Sequence, residues 1–216
     1  MHRDPVALPG VLRAGEVPRN RFDDPAGQFR VRYLATTRRG ALLEVLAGFR
    51  FSPMLEQRLG EVVGVEGPED LETPGMVPAG FIACLRVAWI GPRLDSAWFA
   101  DIAAAESHTV LGTHPVLAAA LADTGLGSPE LPVQLDAGTI ALAGPLGRRI
   151  TQLIARVVYS ETDAAGLRYT SRVDANEECW AVFDTVDVWA STPEKLAPAD
   201  PELMSACVTL GLRLPS

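Results

Sequence analysis

Cysteine is scarce in this chain: three residues, Cys84, Cys179 and Cys207, odd in number and widely spaced among 216. That pattern excludes a disulfide framework and offers neither a CxxC redox motif nor a zinc ribbon, which points to a reducing compartment. Histidine is equally sparse. His2, His108 and His114 form no HExxH and no metal triad, so no metal is expected, and His108 and His114 read as surface or helix-capping residues. Long apolar runs are missing too. The longest, Ala79 to Gly91, is broken by Arg86 and falls short of the roughly 20 residues of a membrane helix. The first twenty residues carry prolines and charges where a signal peptide needs an apolar segment. A soluble, cytoplasmic protein without a membrane partner is the expectation.

Net positive charge is absent as well. A formal charge of -8 argues against a nucleic-acid surface, which needs a basic patch to meet phosphates. A phosphate-bearing ligand would have to meet a local group of arginines, and the chain offers Arg19 with Arg21, Arg30 with Arg32, Arg38 with Arg39, and Arg148 with Arg149. The tryptophans at 89, 98, 180 and 189 read as core or interface residues rather than a base-stacking platform. Gly125 and Gly127 lack the third glycine of a Rossmann fingerprint, and AGPLGRRIT lacks the lysine of a Walker loop. No G-x-S-x-G elbow occurs.

What is present is enough apolar residue, 48% of the chain, for one sizeable core. Residues 1–20 read as an irregular arm. From Gln28 to Ala35 the chain alternates, with Phe29, Val31, Tyr33 and Ala35 on one face, as a half-buried strand does. Thr36 and Thr37 then offer an N-cap for a helix from about Arg39 to Phe49. On that helix Glu44 shares its face with the small residues Gly40, Ala41, Ala47 and Gly48, which leaves room beside a carboxylate.

Further on, 64–80 reads as a Gly- and Pro-rich loop and 81–90 as a strand. Residues 96–106 and 115–122 read as helices, 139–143 as a short strand, and 149–161 as the clearest amphipathic helix. Residues 166–171 and 179–188 form two expected strands, and the tail from 191 to 216, with its prolines, is expected to wrap the surface. Strands and helices interspersed without regular βαβ units predict an α+β domain with small mixed and antiparallel sheets.

The block Arg21, Phe22, Pro25, Gly27, Tyr33-Leu34-Ala35, Ala41 and Glu44 resembles the opening of the RES domain. Gly166, Leu167, Tyr169, Ser171, Ala181 and Phe183 look like its closing motif. These stretches, with the helix at 149–161, cover about a third of the chain. The resemblance implies a fold similar to the ADP-ribosyltransferase toxins, spread over residues 21–190 with an insertion within 50–140, because Glu44 and Ser171 stand 127 residues apart. It implies an enzyme that degrades NAD+, with phosphate or water as acceptor, acting as the toxin of a toxin–antitoxin pair whose cognate antitoxin is the partner.

Within that resemblance Glu44 and Arg21 are the catalytic candidates, Arg21 also gripping the pyrophosphate. Tyr33 would stack on the nicotinamide ring and Ser171 would hydrogen-bond phosphate or ribose. Cys179 stands where the family often has asparagine. ADP-ribose transfer to a macromolecule and a silent nucleotide- or partner-binding module stay open as alternatives, as does a homo-oligomeric state.

Overall fold

The structure is a computed structural model that describes residues 7–10, 18, 20–50, 75–93, 96–124 and 134–215. The expected arm at 1–20 and the loop at 64–80 lie largely outside the described residues, as do Arg19, Gly125 and much of the expected insertion. The described residues form an α+β arrangement of helices with small mixed and antiparallel sheets.

Alternation at Phe29–Ala35 produces β1 (Val31–Ala35), and the Thr37 hydroxyl caps the helix that follows, α1 (Arg38–Leu46), by accepting from the Gly40 N–H at 2.8 Å. A single 3-10 turn, Ala47–Phe49, extends it. Strands β5 (Gly166–Thr170) and β6 (Glu178–Phe183) pair antiparallel, and β1 lies antiparallel on the far side of β6. A two-residue strand, β4 (Ala100–Asp101), joins β5 in parallel and completes the order β1-β6-β5-β4.

One face of this sheet presents Val31, Leu167, Tyr169, Cys179, Ala181 and Phe183 to a core closed by Ile150, Ile154, Ala155 and Val158 of a long helix. That helix, numbered α6 below, runs Gly144–Glu161 and begins five residues before its expected start, with Pro145 in its first turn. Helices α3 (Ala105–Gly112) and α4 (Pro115–Ala122) add Leu111, Leu117 and Leu121 to the same core.

A second core lies beside α1. It joins Leu42, Leu43 and Leu46 to Ile82, Leu196 and the buried face of a C-terminal helix, α7 (Pro201–Leu210), formed by Leu203, Ala206, Cys207 and Leu210. The tail therefore does not simply wrap the surface. Asp200 caps α7 by accepting from the N–H groups of Glu202 and Leu203, Pro201 opens it, and Gly211 ends it at φ 67°.

Three further expectations are corrected. The alternation across 81–90 is broken by helix α2 (Ala79–Cys84), because Phe81 and Leu85 are also four residues apart and pack on the second core. Only then do β2 (Arg86–Val87) and β3 (Ile90–Pro92) pair with β8 (Glu194–Lys195) and β7 (Val188–Ala190). Within 139–143, the expected strand is replaced by helix α5 (Ala137–Ala141), since Asp136 accepts from the Thr139 N–H at 2.7 Å and nucleates a turn. The helix expected from Ser96 instead begins at Ala105, after β4, whose place is set by backbone bonds from Ala165 N–H to Trp98 C=O and from Ile102 N–H to Arg168 C=O.

Trp89, Trp98 and Trp189 are exposed rather than in the core. The three cysteines are free thiols, with Cys179 and Cys207 buried. No helix among the described residues is long and apolar enough to cross a membrane.

Candidate active site

The two cores meet at a cavity of about 420 Å³. That size falls within the roughly 300–1,000 Å³ of small-molecule sites. Its wall includes Arg21, Tyr33, Glu44, Arg148, Tyr169 and Arg172. Three of the four residues singled out from sequence, Arg21, Tyr33 and Glu44, thus line one space, and the fourth, Ser171, is buried beside it.

The chain enters this wall through a tight turn. The Asp24 side chain accepts from the N–H groups of Ala26 and Gln28, and Gly27, at φ 67°, donates its N–H to the Asp24 carbonyl. Phe22 is thereby sunk into the sheet core, its ring 4.7 Å from that of Tyr169 and stacked at 6.4 Å on that of Tyr33. Arg21 lies over the Phe22 ring at 5.0 Å and over the Tyr169 ring at 5.2 Å, and donates from Nη2 to the Ile140 carbonyl at 2.9 Å.

Burial, with Arg172 as the next largest cause, pulls Arg21 down to about 10 from its usual 12.5. It stays a cation at neutral pH. Its Nε–H is buried without a partner among the described residues, so part of the fork is unused.

Tyr33 is anchored at its hydroxyl, which donates to Asp23 Oδ1 at 2.9 Å and accepts from the Phe22 N–H at 3.0 Å. Burial, followed by the Asp23 charge, raises its pKa well above the usual phenol value. The hydroxyl is committed to structure, and what Tyr33 offers the cavity is ring surface.

Glu44 projects from α1 and is exposed to the cavity. The Ser171 hydroxyl donates to its Oε1 at 2.6 Å and accepts from the Val173 N–H at 3.0 Å. Ser171 is itself only 5% exposed and acts on the cavity through Glu44. Glu44 forms no ion pair with a described residue. A neutral donor therefore orients the carboxylate without cancelling its charge.

A second tie holds α1 to the same turn. Arg39 Nη1 pairs with Asp174 at 2.8 Å and with Glu177 at 2.6 Å, while its Nε and Nη2 donate to Ser205 and Thr209 of α7. The Thr37 hydroxyl also donates to Glu177, whose side chain is only 7% exposed. Helix α1, the turn after β5 and the C-terminal helix are locked at one guanidinium.

Cys179 is buried against Tyr169, and burial, then the Glu44 charge, pushes its thiol up to about 12. A neutral, buried thiol is no nucleophile. No group of three or more His, Cys, Asp or Glu among the described residues could hold a metal. Sequence reasoning missed Tyr169 as a wall residue and Arg172 altogether, and named Arg148 only with Arg149, as one of four arginine pairs that could meet a phosphate. The adjacency of Arg172 to Ser171 was the one local signal for it.

Taken together, fold and cavity define an α+β domain with a cationic cleft of small-molecule size carrying one oriented carboxylate. The RES domain family model matches residues 3–200, and the chain belongs to that family. No curated protein and no solved structure matches it.

Proposed function

We propose that this protein degrades NAD+ by breaking the bond between the ribose C1′ and the nicotinamide nitrogen. The observation that carries the reading is that Arg21 and Glu44 face one cavity, and neither forms an ion pair with the other or with any other described residue.

Heterolysis sends the bond's electron pair to the pyridinium nitrogen, releases neutral nicotinamide and leaves an oxocarbenium-like ribose. The ionised Glu44 stabilises that cation and accepts from a ribose hydroxyl, an interaction stronger in the transition state than in the ground state. Ser171 keeps the carboxylate aimed. Arg21 suits the pyrophosphate, since a planar fork makes two charge-assisted bonds and remains charged. The Tyr33 ring packs against the nicotinamide.

Capture of C1′ by a phosphate oxygen, or by water with loss of its proton, completes the reaction. NAD+ is substrate, and no step calls for a metal. The family relationship supports a cytoplasmic toxin role with a cognate antitoxin.

Incubating pure protein with NAD+, with and without phosphate, and weighing the products tests this. Nicotinamide with ADP-ribose or its 1″-phosphate is expected. Unchanged NAD+ in the presence of folded protein overturns the reading, and labelled NAD+ marking protein or nucleic acid replaces it with macromolecular ADP-ribosylation.

A further inference from the structure

We propose that Arg148 and Arg172 form a second anion-binding locus in the cavity, so that the site selects ligands with two linked phosphoryl groups, Arg21 meeting one group and this pair the other. The identity of the ligand as a dinucleotide rests on the NAD+-cleavage reading; the preference for a diphosphate rests on the arginines.

Two guanidiniums converge on one short stretch of chain, and a third lines the same cavity. Arg21 donates to the carbonyl of Ile140 and Arg172 Nη1 to that of Leu142, at 3.3 Å, while Gly144 and Arg148 continue the same wall along α6. None of the three forms an ion pair with a described residue.

Several arginines outside the cavity do have carboxylate partners. Arg30 pairs with Asp184, Arg38 with Asp200, Arg39 with Asp174 and Glu177, Arg149 with Asp123, and Arg168 with Asp101 and Glu178. In a chain with 27 acidic residues against 19 basic ones, carboxylates are plentiful enough to pair most cations. Withholding them from one cavity, while keeping like charges close enough that Arg172 helps to lower Arg21, is unfavourable in the empty protein.

A bound polyanion relieves that repulsion and satisfies the buried Arg21 Nε–H. Glu44 is the only carboxylate among the described residues of the wall, where the cations outnumber it. A diphosphate supplies two phosphoryl groups joined through one oxygen, each able to take a separate guanidinium. A monophosphate can satisfy only one locus at a time.

Calorimetric titration with ADP-ribose and with AMP tests the assignment independently of turnover. Arg148→Gln and Arg172→Gln should each weaken ADP-ribose by about tenfold and AMP by no more than about threefold, from the loss of one charge-assisted contact. The Lys variants at each position, which keep the charge, should recover part of the loss. Arg149→Gln removes an equal charge from the next residue of the same helix, where the side chain is 61% exposed, and should leave both affinities unchanged.

Unaltered ADP-ribose affinity in the Arg148 and Arg172 variants, or an equal loss in Arg149→Gln, overturns the second locus while leaving NAD+ cleavage standing. Should the wild-type protein neither bind ADP-ribose nor cleave NAD+, inorganic pyrophosphate and phosphate become the probes. An arginine-dependent preference for pyrophosphate then upholds the locus without the dinucleotide reading, and equal binding of the two ends both.

Discussion

The two walls of the cavity are built by different physics. The wall that carries Arg21, Tyr33 and Tyr169 is sheet packed on α6, held by apolar burial and stacked rings. The wall that carries Glu44 is a nine-residue helix that, besides burying Leu42, Leu43 and Leu46 in the second core, is tied to the turn after β5 by polar bonds, Ser171 to Glu44 and Arg39 to Asp174 and Glu177. Apolar packing is broad and non-directional, so it suits a surface that grips a large ligand. Hydrogen bonds are directional, so they suit a single carboxylate that must meet one developing charge. The comparison predicts that damage to the polar wall is read in turnover, and damage to the apolar wall in binding.

The sharpest break is Glu44→Ala, which removes the charge itself. Turnover of NAD+ should fall by about three orders of magnitude with little change in ADP-ribose affinity, as for loss of one electrostatic stabiliser. Near-normal turnover in this variant takes Glu44 out of its role. Ser171→Ala keeps the charge and removes its orientation. A fall of about tenfold in kcat with KM nearly unchanged is expected, a hydrogen bond's worth of aim; a rise in KM alone would return Ser171 to direct ligand contact.

Arg39→Met strands the buried Glu177 carboxylate with Thr37 as its one remaining side-chain partner among the described residues. A stability loss of about 2 kcal/mol is expected in denaturant titration, less in Arg39→Lys. Unchanged stability would show that α1 is held by its apolar face alone.

The smallest effect concerns Arg21. Its pKa is lowered to about 10, so in the empty site the cation is present at pH 7–9 and is lost as pH rises through 10. Dinucleotide affinity should be flat below pH 9 and decline above pH 10, with proton uptake on binding there, because the anion favours the charged form. Calorimetry in two buffers of different ionisation enthalpy reads that uptake, and its absence would remove Arg21 from anion contact.

Much of this arrangement was legible along the chain. Period-two alternation marked β1, Thr37 marked the start of α1, and the spacing of Ile150, Leu153, Ile154 and Val157 marked α6. Helix α7 was not read, because the prolines of the tail masked the ordinary start and stop signals at Asp200, Pro201 and Gly211. The two-residue strand β4 was not legible, because so short a strand is defined only by the edge it joins. Nor were the short helices α2 and α5, whose apolar residues fit a period of two as well as a helical one.

By itself the sequence determined the α+β class, the strand that bears Tyr33, the helix that bears Glu44, and an acidic balance that confines any phosphate binding to a local arginine group. Those properties depend on neighbours a few residues away or on composition. Only the tertiary structure decided that Ser171 serves Glu44, that Arg39 spans three elements, and that Arg148 and Arg172 join Arg21 around one space. A side chain's partner is set by which segments the two cores bring together, and that distance is written nowhere in the order of the residues.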